Sequence, residues 1–304
     1  MTATAVIMLT VKASLALTLL GVSLNARPSD ATHLLRRPGL LVRSFVAMNV
    51  VMPFVALWFT MVFALSPAVK LALITLSISP VPPFLPNKAI KSGGDSAYTV
   101  ALLTTMAVLS ILVIPLTMEF FGLLFGLPLS IRPITIVNVV ANGILLPVAV
   151  GIATRRFAPV LADKLLKPVR VVANVLLIAG LIPLLKATWP AMSAVVDDGT
   201  LFAIVGITVL GLAVGQTFGG PAREDRTVLA LATACRHPAV AITVATTMFP
   251  NEPLVGAAVM ADLVIAGIVT LPYVRLSRRT IAAENQGRRL TDPAHATSPS
   301  HHRA

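Results

Sequence analysis

Charge is scarce in this chain, and cysteine is almost missing. Charged residues make up 12% of the 304 positions, about half the share that a soluble domain carries, which excludes an ordinary water-soluble globule. The single cysteine, Cys235, rules out a disulfide framework. No metal-spaced Cys/His set is present, and no GxSxG, P-loop or HExxH motif occurs. Soluble-enzyme chemistry therefore has no foothold, and neither a metal nor an organic cofactor is implied. Acidic residues are also few, 12 against 24 Lys and Arg. That net charge of +12 does not point to nucleic acid, because the basic residues lie in short loops between apolar runs and in the tail.

Apolar residues fill the rest. They make up 56% of the chain, and the mean hydropathy is +0.88. A bilayer-crossing helix takes about 20 apolar residues. Nine segments read as helices, at about 4–24, 39–64, 68–91, 95–124, 132–154, 168–187, 200–217, 226–249 and 253–275. The fold class expected is an all-α polytopic membrane protein. The first segment has Lys12 inside it and its positive charges after it (Arg27, Arg36, Arg37), flanks that suit an uncleaved first span rather than a signal peptide. Most Lys and Arg fall on one side of the alternating loops, while Lys70, Arg132, Lys186 and the acidic pair Asp197-Asp198 fall on the other. The positive-inside rule then places the N-terminus outside and the C-terminus in the cytoplasm, in a cell or inner membrane. Residues 276–304 are polar and read as a disordered cytoplasmic tail, with His295, His301 and His302 as solvated side chains.

Two of the segments are interrupted. The third carries Ser79-Pro-Val-Pro-Pro-Phe-Leu-Pro-Asn87 and the eighth carries Thr233-Ala-Cys-Arg-His-Pro238. Taking 132–154 as a linker helix leaves two four-helix halves, 1–124 and 166–275, with a broken helix third in each. A half entered from outside followed by one entered from inside makes the repeats inverted. Matched breaks in inverted halves point to the binding site of a secondary transporter.

The residues at the breaks supply the chemistry. Pro238 suits the first position of a half-helix, whose positive dipole end would face Arg236 and His237. A helix start beside a guanidinium takes an anion, and the first break should offer a similar end near Asn87. Asp262 and Lys12 are further charges within apolar segments, and such charges face protein or water and find partners. Arg236 and Asp262 are therefore expected either to form a structural ion pair or to leave Arg236 a free edge for substrate. Asn49, Thr99 and Thr104 either line a cavity or make interhelical hydrogen bonds.

Four stretches together resemble the bile acid:sodium symporter superfamily over about residues 17–275. They are Leu20-Gly-Val-Ser-Leu24 with Arg27-Pro-Ser-Asp30 and Arg36-Arg-Pro38; Met48-Asn-Val-Val-Met-Pro53; Ser79-Pro80 through Gly94-Asp95 with Leu102-Leu-Thr-Thr105; and Cys235-Arg-His-Pro-Ala-Val-Ala-Ile242. The resemblance implies two crossed broken helices in a core domain, a panel domain, and sodium-coupled uptake of organic anions. The chain departs from it at the ion ligands. Ala232 stands where the family carries a sodium-binding Glu, and Arg236 where it carries Gln. Met48 replaces a further Gln, Asn87 lies one residue after the family's Asn, and Thr99 falls on a Ser ligand. Sodium needs a cage of oxygens, and a guanidinium offers only donors. The expectation is a transporter of a small organic anion bound by Arg236, His237, Asn87 and Asn49. Thr99, Thr104 and Asp262 would take part in ion coupling, with sodium doubtful as the coupled ion. The alternatives are an orthodox sodium:organic-anion symporter and a non-transporting membrane sensor of the same fold.

Overall fold

Prolines and short polar residues set where the helices start. The computed structural model describes residues 3–126 and 131–291, and those residues form helices and connections without a strand. Helix α1 spans Ala3–Ser23 and, after one helical turn at Pro28–Ala31, α2 spans Pro38–Val62. The first interrupted segment is α3, Pro67–Ile78, followed by α4, Leu85–Lys91. Then come α5 (Ser96–Phe125), α6 (Pro133–Phe157), α7 (Pro159–Val195) and α8 (Asp198–Phe218). The second interrupted segment is α9, Arg223–Ala234, with α10, Pro238–Met248, and the chain closes on α11, Val255–Thr291. Pro38, Pro67, Pro133, Pro159 and Pro238 each open a helix, where a missing N–H costs nothing. Asp95 caps α5 by accepting from the Tyr98 N–H at 2.6 Å, and Asp197 caps α8 from Thr200 at 2.7 Å. The Thr200 bonds hold the exposed Asp197 carboxyl below its ordinary pKa.

Eight stretches are long and apolar enough to cross a membrane, counting Arg223–Met248 as one run, and Pro67–Ile78 is apolar but shorter. In the most apolar 18-residue stretch of the second interrupted run 78% of the residues are buried, against 17% in that of Pro159–Val195; the broken segment therefore lies toward the centre of the bundle. Large side chains such as Leu112, Leu123, Ile178, Ile182, Phe202 and Ile268 face outward, which is the surface a hydrocarbon solvent requires. The chain is an integral membrane protein.

Two helices run longer than their sequence suggests. The segment read at 168–187 is the continuous α7, which tolerates Pro168, Pro183 and Pro190 inside it. The last segment was expected to stop at 275 and give way to a disordered tail; instead α11 continues to Thr291. Tertiary contacts hold this polar extension. Ile281 is buried against Gly93, and Ser277 is hydrogen-bonded to Thr227 at 2.6 Å. Gly93 has a φ of +89°, and a Cβ there would stand 2.9 Å from Ile281 Cδ1. Residues 292–304, with the three tail histidines, lie outside the described residues.

Close packing of α8 on α9 depends on glycine. Gly211, Gly215 and Gly219 recur every four residues along one face of α8 and meet Ala234, Ala230 and Arg226 backbone. Such small residues let helix backbones approach closely where lipid offers no hydrophobic drive. The approach lets Thr233 Oγ1 donate to the Gly211 carbonyl at 2.5 Å. A Cβ on Gly215 would fall 2.2 Å from Ala230 Cα. Gly215→Val is expected to lower the unfolding midpoint in detergent, an overpacking cost of about 1–3 kcal/mol. Gly256→Ala, where nothing stands within 4 Å of the new carbon and alanine is the better helix former, should not lower it; circular-dichroism melting of both variants checks this.

Candidate functional site at the crossing of the two broken segments

Between Ile78 and Leu85 the chain cannot stay helical, because Pro80, Pro82 and Pro83 lack N–H groups. Between Ala234 and Pro238, Cys235 and His237 are extended. Each break leaves backbone groups that hydrocarbon cannot satisfy, and the two breaks satisfy one another. The His237 N–H donates to the Pro80 carbonyl at 3.0 Å, so the interrupted segments touch through their main chains. Within the first break, Ser79 donates from its N–H to Leu76 O at 2.9 Å and from its hydroxyl to Thr75 O at 2.7 Å.

Arg236 closes the remaining gap. Its Nη2 donates to the Ser77 carbonyl, at the C-terminal end of α3, and to the Met48 carbonyl in α2. A cation at a helix C-terminus meets the negative end of the dipole. Met48 O is free for a definite reason. Residues Ala47–Val51 form a π turn in which the Met52 N–H reaches back to Ala47 O. In that register the next donor, owed to Met48 O, is residue 53, and residue 53 is proline. Arg236 is buried, with 6% of the residue exposed, and its Nε and Nη1 have no partner among the described residues.

His237 is also buried and serves as the N-cap of α10, its Nδ1 accepting from the Val240 N–H at 3.4 Å. That contact puts the neutral ring's proton on Nε2. Arg236 and Asp262 both face a cavity of about 20 Å³, enough for one water. The ion pair weighed between them is absent among the described residues, whose salt bridges are Arg37–Asp225, Arg155–Asp163 and Arg223–Glu284. Cys235 forms another wall of that cavity, and beyond it stands Lys88, whose Nζ lies 4.0 Å from Cys235 Sγ and donates to the Thr270 hydroxyl of α11. Each broken segment thus delivers a cation toward the other: Arg236 onto the end of α3, Lys88 to the end of α9.

The remaining expected site residues are dispersed. Asn87 opens onto a separate cavity of about 290 Å³ between the α1–α7 pair and α4–α5, shared with Lys91, Arg170, Asn174, Asn25 and Asp30. Asn49 lies on another groove beside Phe54 and Phe120, with its amide 3.5 Å from Met106 Sδ. The Thr99 hydroxyl donates to Asp95 O at 2.5 Å and the Thr104 hydroxyl to Val100 O at 2.9 Å, so both are spent on their own helix. Sequence reasoning missed Lys88, Lys91 and Arg170 as site residues, having counted them only as loop charges that set orientation.

The family model for the sodium bile acid symporter family matches residues 13–188. The chain belongs to that family. Its members are transporters rather than enzymes. The match takes in the first break and ends before the second, so Arg236 and Asp262 lie beyond it. No curated protein matches the chain.

Replacing the guanidinium should unsettle the crossing. Arg236→Met strands two buried carbonyls, each worth about 1–3 kcal/mol when left unpaired, and is expected to lower the detergent melting temperature. Arg236→Lys, which still brings donors, should recover part of the loss; thermal unfolding of both variants against the parent tests this.

Proposed function

We propose that the protein is a secondary active transporter of a small organic anion, working by alternating access with a tethered arginine in place of a coupled sodium ion. Family membership supports the transport class. The observation that carries the coupling is the placement of Arg236, whose guanidinium serves the carbonyls of Ser77 and Met48 at the crossing. Two sodium-ligand positions of the family resemblance, here Arg236 and Met48, converge at that point. A hard cation would need oxygen ligands there, and the arginine already engages two backbone oxygens while Ala232 supplies none from its side chain. The nine-span arrangement, with α3–α4 and α9–α10 third in two inverted halves and the N-terminus outside, is the topology in which such a crossing rocks between two faces.

Substrate on this reading occupies the cavity of about 290 Å³ rather than the crossing itself, whose cavity holds one water. Lys91 from α4 and Arg170 from α7 put cations on opposite walls, and Asn87, Asn174 and Asn25 add amides. Drug-sized ligands take pockets of about 300–1,000 Å³, so a cavity at the bottom of that range suits a compact carboxylate or sulfonate. Asn87 is then a substrate-contacting residue, while Arg236 and His237 form the rigid hub behind it, with Asp262 the ionisable partner across the small cavity. Asn49, Thr99 and Thr104 have supporting rather than ligating parts.

Two measurements test the reading. Uptake of carboxylates and sulfonates into proteoliposomes should proceed equally in sodium and choline buffers. Strict sodium dependence would restore the orthodox symporter, and ligand binding without uptake would indicate a sensor. The double variant Ala232→Glu/Arg236→Gln puts back two of the family's oxygen ligands and is expected to make unfolding temperature or uptake respond to sodium where the parent does not. Independently, Arg170→Gln should raise the KM for the anion about tenfold, the effect of losing one charged hydrogen bond of about 1.5 kcal/mol or more, with little change in melting temperature.

A further inference from the structure

At the far end of α8 and α9, remote from both cavities above, a third cavity of about 190 Å³ opens between α8, the first turns of α9 and the extension of α11. Its walls are rich in donors for so apolar a protein. Arg223 and Arg226 come from α9, Gln216 from α8, and Tyr273, Ser277 and Thr280 from α11, the Thr280 hydroxyl donating to Leu276 O at 2.9 Å and the Ser277 hydroxyl lying 3.3 Å from Ser92 O. The cluster is held in place from behind. Arg226 Nε donates to the Gly220 carbonyl at 2.6 Å, Gln216 Nε2 donates to the Tyr273 hydroxyl, and the Thr227 and Ser277 hydroxyls are 2.6 Å apart.

The two guanidiniums are only weakly satisfied by the protein itself. No hydrogen bond from the Nη atoms of Arg226 is present among the described residues. Arg223 meets a carboxylate, Glu284, at 3.3 Å, but both partners are about half exposed, and such a pair contributes little. Asp225, in the same helical turn, is turned to Arg37 at 3.5 Å on the other side. Leu276, 65% exposed, gives its rim an apolar surface. Paired guanidinium forks are the donor set that matches phosphate oxygens, and basic pockets between membrane helices take lipid head groups.

We propose that this pocket is a phosphate-recognition site, filled by the head group of an anionic phospholipid or by a free phosphate, with Arg223 and Arg226 as its principal ligands. Glu284 is its internal competitor: the carboxylate holds Arg223 until a phosphate displaces it. Occupancy ties α8, α9 and α11 together at one end of the central broken segment. The site stands independently of the transport reading, because nothing in it touches the crossing or the larger cavity.

The test uses the purified full chain in neutral detergent and follows the unfolding midpoint as ligand is added. Short-chain phosphatidylglycerol, short-chain phosphatidylcholine and inorganic phosphate are compared. The expected result is stabilisation by phosphatidylglycerol and not by phosphatidylcholine. Arg223→Gln should weaken the apparent affinity about tenfold, and Glu284→Gln should strengthen it. Stabilisation by inorganic phosphate at similar concentrations assigns a free phosphate; its absence assigns the lipid. The proposal is overturned if none of the anionic ligands stabilises the parent, or if phosphatidylglycerol acts equally on the parent and on Glu284→Gln, a surface change that does not endanger folding. Uptake assays are not involved, so failure here leaves the transport reading untouched.

Discussion

Backbone groups released inside an apolar bundle must be paired, and Arg236 is where most of that demand is met. Three separate irregularities send their unpaired atoms to one place. The end of α3 offers Ser77 O, the π turn before Pro53 offers Met48 O, and the break at Pro80 offers a carbonyl that the neighbouring His237 N–H takes. Residues 236 and 237 of one broken segment thus satisfy the other broken segment and α2 together. The arrangement couples three elements that are far apart in the chain, and a change in any of them must be accommodated at the same guanidinium. Interior packing follows from it: Met48, Ile78, Val81, Leu85, Val228, Leu231 and Val240 are buried around the junction in one cluster.

The junction is closed as well as central. Only a cavity of about 20 Å³ remains beside Arg236, whereas the cavity at Asn87 is more than ten times larger and lies at the boundary with α1 and α7. On the proposed reading, one group of helices moves as a body against another, with the tight hub inside one group and the roomier seam between the two. The hub would keep its hydrogen bonds through such a motion, and the seam would change shape. Arg170 on α7 and Lys91 on α4 stand on opposite sides of that seam, so a bound anion would bridge the two groups and bias their separation.

Much of this was legible in the sequence because proline and apolar length are loud signals. Pro80, Pro82, Pro83 and Pro238 announce both breaks, and a run of twenty apolar residues announces a helix whatever it packs against. The partners of polar side chains were not legible. Arg236 and Asp262 lie within adjacent apolar segments and are opposite in charge, which suggests an ion pair; carbonyl oxygens, which no sequence displays, take the arginine instead. Lys88, Lys91 and Arg170 sit near helix ends, where a lysine or arginine ordinarily reaches outward to water; here the fold draws Lys88 inward to Thr270, while Lys91 and Arg170 stay exposed but stand at the mouth of one cavity. The extension of α11 past residue 275 was hidden for a related reason. Its local composition is polar, and only the distant contacts of Ile281 with Gly93 and of Ser277 with Thr227 order it.

A covalently attached cation differs from a bound ion in one respect that bears on energetics. A sodium ion held by the crossing can enter from one face and leave by the other, and its gradient then does work on the substrate. A guanidinium provides the same charge to the same carbonyl ends but cannot dissociate, so no gradient acts through it. On the proposed reading the crossing retains its structural role and surrenders its coupling role. Driving force then has to come from the anion's own gradient, or from a proton exchanged at a group that opens to water as the seam changes shape. Asp262 is the ionisable group placed for that exchange. It shares its cavity with the arginine without being bonded to it, so its charge is free to change without breaking the contacts that hold the two broken segments together.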